Sequence, residues 1–485
     1  MYELRDYQKR GIRQIFEAWD PKRGNMKKVL FQMATGTGKT TVFSEIVRKA
    51  HIKEKDVLIV AHRAELVEQI VNRLEVAGVQ SGCISASFEE NRNLNVQVAS
   101  IQTLTRRKKP KAEIVIIDEC HHSKASTYKK LWEIYPDAWF LGVTATPWRL
   151  SGEGFEEQFE TLICLENLSY FFKNKHLSPV KHLVSGVPNL TKVKKQMKDY
   201  DLKMLNNIML ENRLMANLVN SYFQHANGKR MIVFAVDIEH SLEIARRYNL
   251  NGVKAEHIDA KTPKAERKEI LESFKSGETL IISNVDIISE GFDVPACDAV
   301  QLARPTKSLA LYLQQVGRCM RKAEGKEFGI VLDNAGLWLE HGLSNIDRHW
   351  QIEPWKFTSS STKRNSSNED TSSFAAMDEE GVFHDVIRPQ EAEGLELVNM
   401  TEEIADCLSF HYYLENALEL GHKPISAIYK FTEHLFYNKK YLSDFVIDYA
   451  HKRLIEQGID YKKGIWYHRK KDLKNAIDNN LPILI

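Results

Sequence analysis

The 485-residue sequence predicts an α/β protein: two tandem domains, each a parallel sheet flanked by helices, and a mainly helical C-terminal accessory domain. Three observations carry this. Short apolar segments alternate with amphipathic helical ones in two successive stretches. The segment Ile114-Val115-Ile116-Ile117 is apolar at every position, as a strand covered by helices on both faces must be. A polar, serine-rich run from Thr358 to Ser373 contains no apolar residue and separates this part from a tail rich in aromatic and basic residues.

In the first stretch Val29–Met33 reads as a strand and Thr40–Ala50 as its helix, with Val42, Phe43, Ile46, Val47 and Ala50 on one face. Val57–Ala61 is the next strand, and Leu66, Val67, Ile70, Val71 and Leu74 mark the helix after it. Strands at Val96–Ser100, Ile114–Ile117 and Phe140–Val143 follow, giving a first domain over residues 1–165. The second, over 166–345, begins with a helix around Leu205–His225 and a strand at Met231–Ala235. It continues with a helix from Ser241, strand Ala255–Ile258, helix Lys264–Lys275, strands Leu280–Ser283 and Ala299–Ala303, helix Ser308–Arg321 and strand Gly329–Leu332. Residues 346–373 are expected to be a flexible linker. Residues 374–485 form the accessory domain, with short strands over Phe374–Met400 and helices beyond.

Composition excludes more than it selects. Hydrophobic content of 43% and charged content of 27% are ordinary for a globular protein. A net charge of +2 gives no general pull on a polyanion, so any nucleic-acid footprint must be local. Six cysteines are scattered without a C-x-x-C pair, which argues against zinc and against a disulfide framework. The N-terminus lacks the apolar core of a signal peptide, and no apolar run reaches membrane-span length, so a cytoplasmic setting is expected.

Two distant segments carry the chemistry. Met33-Ala34-Thr35-Gly36-Thr37-Gly38-Lys39-Thr40 sits between a strand and a helix. Its glycines let backbone N–H groups surround the phosphates of ATP, Lys39 adds charge, and the Thr40 hydroxyl suits Mg²⁺. Met33 stands where the common form of this motif has its first glycine. Far downstream, Gln314-Gln315-Val316-Gly317-Arg318-Cys319-Met320-Arg321 offers two guanidiniums three residues apart, on one face of the expected helix. Between them, Asp118-Glu119-Cys120-His121 follows the apolar strand, where a carboxylate faces the crevice at the C-terminal ends of a parallel sheet. Asp118 there would hold Mg²⁺ and Glu119 would activate a water.

MATGTGKT, DECH, Thr144-Ala145-Thr146, Glu290-Gly291-Phe292-Asp293 and QQVGRCMR stand in the order and spacing of superfamily 2 helicases and translocases, which the chain resembles over roughly its first 345 residues. With Ala61–Leu66 (AHRAEL) and Glu290–Pro295 (EGFDVP), it looks most like the branch holding RadD-type DNA repair helicases and restriction-enzyme motor subunits. The resemblance implies two RecA-like P-loop domains closing on one ATP. It implies that Gln8, with Arg5 or Tyr7 nearby, reads the adenine, and that His62, Arg63, Ser100, Gln102 and Thr103 touch the sugar–phosphate backbone. Thr144 and Thr146 would couple Asp118 or Glu119 to the second domain. Gly291 and Asp293 would face nucleotide and strand, and Gln314, Arg318 and Arg321 would complete the catalytic site in trans.

The expected activity is that of an ATP-dependent DNA helicase of repair, recombination or replication, using ATP and Mg²⁺ on single-stranded or branched DNA. A duplex translocase or restriction motor, an RNA helicase, and a nucleotide-operated switch or scaffold are the rivals. Two basic segments stay open. Arg106-Arg107-Lys108-Lys109-Pro110-Lys111 reads as a nucleic-acid track or a solvated loop. Tyr461 to Lys471 reads as a base-stacking platform or a helical cap with Trp466 packed inward.

Overall fold

The computed structural model describes residues 3–353 apart from 87–89, 123–125, 185–187, 189, 191–192, 197–198 and 289–296. Of the tail it describes 374–377, 383–387, 398–399, 444–456, 464–479 and scattered positions between 410 and 443. The expected linker run from Thr358 to Ser373 therefore lies outside the described residues, as do Gly291 and Asp293.

The first domain is a seven-stranded parallel sheet. Across it the strands run Gly82–Ile84, Val96–Ser100, Val57–Ala61, Ile114–Asp118, Trp139–Thr144, Lys28–Gln32 and Thr161–Cys164. Gln32 pairs with Thr144 and Asp118 with Val143, so three loops leave the same edge side by side. Parallel strands buried on both faces explain why these segments lack a polar alternation. The short strands Gly82–Ile84 and Thr161–Cys164 are not among those expected, since neither presents an apolar run long enough to stand out.

The second sheet runs Ala255–Ile258, Ile281–Asn284, Met231–Phe234, Ala299–Leu302, Gly329–Asp333 and Val180–Val184, all parallel, with Val398–Asn399 antiparallel at its edge. Two helices differ from expectation. The segment expected as one helix around Leu205–His225 is two, Leu202–Met209 and Asn212–His225, because Glu211 turns extended between them (φ −56°, ψ 132°). The segment expected as helix to Arg321 stops at Val316, and Arg318 and Cys319 continue in tight turns bonded back to Gln315 and Val316.

Residues 346–353, expected to belong to the linker, are bound to Phe155 of the first domain and to Ser169 on the segment that joins the domains. Asp347 accepts from the backbone N–H of Ser169 (2.9 Å) and from its hydroxyl (2.6 Å), and Phe155 N–H donates to the Ile352 carbonyl (2.6 Å). In the tail a separate core gathers around Phe410, Phe431, Val446, Leu454 and Trp466. Trp466 is fully buried, edge-on to Phe410 at 5.3 Å, which is the packing alternative for that residue.

Two buried histidines should give the second domain a pH-dependent stability. His240 accepts from the Val236 N–H (3.3 Å), and His341 bonds the Thr306 carbonyl (2.8 Å). Burial pushes each down to about 4. Their folded values lie below the unfolded one of about 6.5, so the stability from the neutral rings is complete above pH ~6.5 and lost as pH falls toward ~4. The loss is on the order of 3 kcal/mol per group. Denaturant midpoints should drop over that window, and His341→Gln should flatten the slope.

Candidate active site at the domain seam

The phosphate loop is shaped by backbone geometry. Gly36 and Gly38 both take left-handed conformations (φ 81° and 96°), which L side chains rarely adopt. A Cβ on Gly38 would also come 2.6 Å from Gln8 Nε2. The Thr37 hydroxyl donates to Ala34 O (2.6 Å), closing the loop on itself. Thr35 and Thr40 are partly exposed, and Lys39 opens the helix Lys39–Ile52.

The first helix, Asp6–Trp19, braces this loop from outside. Tyr7 donates from its hydroxyl to Thr37 O (2.8 Å), and Gln8 Nε2 donates to the same carbonyl (3.2 Å). Gln8 Oε1 accepts from Arg5 N (3.0 Å), while an Arg5 guanidinium N–H donates to the Tyr7 oxygen (3.1 Å). In this structure the Gln8 amide thus holds the loop. The sequence motif places Tyr7 only in the vicinity; its fully buried ring packs edge-on against Phe171 at 5.2 Å, on the segment joining the domains.

The carboxylates lie next to the lysine. Lys39 Nζ is 3.9 Å from Glu119 Oε1, with both side chains nearly buried. Glu119 has φ +46°, a conformation unusual for a non-glycine residue and of a kind found where a side chain is aimed for function. Its N–H donates to Asp118 Oδ1 (3.0 Å). Thr144 was expected to reach Asp118 or Glu119 itself. Its hydroxyl instead lies 3.2 Å from His121 Nδ1, which is 3.4 Å from Glu119 Oε2, so the imidazole stands between them. Thr146 N–H donates to the Thr144 hydroxyl (3.1 Å), and Thr146 itself is buried. The role of His121 escapes the sequence because nothing in DECH alone says which neighbour its ring meets.

The two distant segments meet. A Cβ built on Gly317 would come 2.6 Å from Thr35 Cγ2, so only glycine lets the arginine segment lie against the phosphate loop. The Arg321 stem packs beside Gly36, its Cγ 3.6 Å from where a Cβ would be. Gln314 and Arg318 are both buried, at 3% and 4% exposed, so Arg318 is no ordinary surface arginine. Beside this contact a cavity of about 230 Å³ is lined from both domains, by Thr35 and Thr146 on one side and Leu313 and Met320 on the other.

The residues expected at a nucleic-acid backbone sit on two neighbouring strand-end loops, because Ala61 pairs with Ser100. Gln102 Nε2 donates to His62 O (2.6 Å). Arg63 Nη1 donates across the seam to Asp286 O (2.9 Å). The Ser100 hydroxyl caps the short helix Ile101–Leu104 by accepting from Thr103 N (3.3 Å) and lies 2.9 Å from the Thr103 hydroxyl. In the basic segment nearby, Lys109 is turned inward to the carbonyls of Thr105 (3.1 Å) and Arg107 (2.9 Å), and Arg107 pairs with Glu90. That favours a structured loop over a free row of cations.

Two mainly parallel sheets, with a glycine-rich loop, a carboxylate pair and an arginine-bearing segment brought together between them, define the class of two-domain P-loop proteins. Residues 1–149 match the family described as type III restriction enzyme, res subunit, and residues 212–323 match the helicase conserved C-terminal domain. The chain belongs to the superfamily 2 helicases. A 51.5 kDa protein of Lactococcus phage (isolate 7-9) is 38% identical over 325 residues, covering 66% of this chain and 69% of that protein. The DNA 3'-5' translocase XPB2 of Sulfurisphaera tokodaii is 26% identical over 383 residues, covering 69% and 82%. A solved structure of the ATP-dependent type ISP restriction-modification enzyme LlaBIII bound to DNA shares the fold, with TM-score 0.53 and 18% identity over 69% of this chain and 28% of that one. The chain spans only 51% and 57% of two other curated relatives. No described helix is long and apolar enough to cross a membrane.

Proposed function

We propose that this chain is an ATP-driven motor on nucleic acid, a helicase acting on DNA in repair, recombination or replication. The observation that carries it is the contact of Gly317 with Thr35 and of Arg321 with Gly36, which joins the two domains at the candidate phosphate loop and supports a site served by both. Gly36, Gly38 and Lys39 would hold the ATP phosphates, and Gln8 with Arg5 the adenine side. A hydroxyl from Thr40 and a carboxylate from Asp118 are oxygen donors of the kind Mg²⁺ takes beside phosphate and water, and the bound ion would neutralise phosphate charge. Glu119 would take the proton of the attacking water, steadied by Lys39 and His121. Arg318 and Arg321 would meet charge developing on the transferred phosphoryl group. Loss of that contact after hydrolysis would release the second domain and shift the grip of the His62, Arg63, Ser100, Gln102 and Thr103 surface.

The deciding experiment is ATPase stimulation by single-stranded DNA, forks, four-way junctions and RNA, with Lys39→Ala as control. Hydrolysis indifferent to all of them would sink the motor reading and leave a nucleotide-operated switch; stimulation by RNA alone would move the substrate to RNA. The match of residues 1–149 to a restriction-enzyme subunit family favours one second reading, a duplex translocase that does not separate strands. Stimulation by duplex without strand displacement would select it. Deleting residues 401–485, which carry the core around Trp466, should alter fork and junction preference more than basal ATPase. Unchanged preference would remove the tail as a substrate reader.

A further inference from the structure

Arg318 and Arg321 lie beyond the end of their helix, in turns that owe little to helical hydrogen bonding. The backbone carbonyls at this helix end point their negative poles outward, where a cation is favoured. Lys326 lies there, partly buried, just after a turn at Gly325 (φ 73°). Its ammonium group donates to Cys319 O (2.5 Å), Arg321 O (3.2 Å) and Cys297 O (2.5 Å), matching its three N–H donors to three acceptors.

The carbonyl between the first two, that of Met320, accepts from Ser178 N (2.8 Å) beside the strand Val180–Val184. Gly329 makes room, since a Cβ there would come 2.4 Å from Cys319 O. Cys297 follows the Glu290–Pro295 motif in sequence, so one ammonium ties the arginine segment to the chain leaving that motif. Lys39, Glu119 and the arginines work at the seam between the domains. Lys326 acts from behind.

We propose that Lys326 is a positioning residue: it clamps the carbonyls of Cys319, Arg321 and Cys297 and so fixes the two arginines against the phosphate loop. The catalytic part of this rests on the ATPase reading above; the clamp does not.

The test uses the full chain carrying Lys326→Met or Lys326→Arg. Amide hydrogen exchange over 317–321 and at Ser178 should rise about tenfold or more in Lys326→Met and stay near wild type in Lys326→Arg, which keeps donors. Unchanged exchange in Lys326→Met overturns the clamp, whether or not the protein hydrolyses ATP. If Lys326→Met does not fold, Lys326→Gln is read by the same criteria. Where wild-type turnover is present and lost in Lys39→Ala, kcat should fall roughly tenfold or more in Lys326→Met, with KM for ATP within about threefold and rescue by Lys326→Arg. Added to the Arg318→Ala/Arg321→Ala double variant, Lys326→Met should cost little more, because the clamp acts on turnover only through those two arginines. A full further loss in that background overturns the positioning role. Absence of wild-type turnover would fail the ATPase reading alone, with exchange still deciding the clamp.

Discussion

Lys39→Ala should abolish ATP hydrolysis and strand separation while leaving the fold intact. The lysine begins the helix Lys39–Ile52, whose core contacts are made by Val42, Phe43, Ile46 and Val47, while its own side chain ends in a charge beside Glu119. Removing its side chain therefore leaves no apolar cavity. Its charge lies 3.9 Å from Glu119, so the same group that would neutralise phosphate also steadies the candidate base. Nucleotide binding measured by a fluorescent ATP analogue, with circular dichroism for the fold, separates the two effects. Turnover persisting at the wild-type rate would refute the phosphate role.

Arg321→Ala should lower kcat by roughly 10³–10⁵, the worth of an arginine that meets phosphoryl charge in trans. Its stem lies beside Gly36 of the other domain, so truncation removes a cross-domain contact without emptying a core. ATP binding by the first domain should survive, because Gly38, Lys39 and Thr40 all belong to it. Single-turnover hydrolysis with a binding control checks this. A rate within tenfold of wild type would mean that the arginine segment is structural. Arg318→Ala is the less clean variant, because Arg318 is 4% exposed and its removal disturbs packing as well.

Much of the first domain is legible because strands buried on both faces must be continuously apolar. The segments Val57–Ala61 and Ile114–Asp118 are such strands, and both are buried at every position. Edge strands are harder: Thr161–Cys164 is only half covered, so its sequence is not constrained in the same way. The helix end at Val316 is hidden because Gly317 looks like one more residue of a motif. Its missing Cβ is what matters, since Thr35 occupies the space. The strap at 346–353 is equally hidden, because its hold on Ser169 and Phe155 depends on partners about 180 residues away or more.

The α/β class, the glycine-rich loop, the carboxylate pair and the existence of a second, arginine-bearing segment are all legible in residue order. These depend on local patterns: apolar runs, glycine where φ is positive, and acids at a strand end. What each polar group touches emerges only once the chain is folded. Folding places His121 between Thr144 and Glu119, gives the Gln8 amide to the phosphate loop and sets Lys326 behind the arginines. Such choices follow from side-chain direction across strand and domain contacts, which residue order does not carry. The joining of the two distant segments at Gly317 and Thr35 is the same kind of fact, a contact that exists only once both sheets are folded and facing.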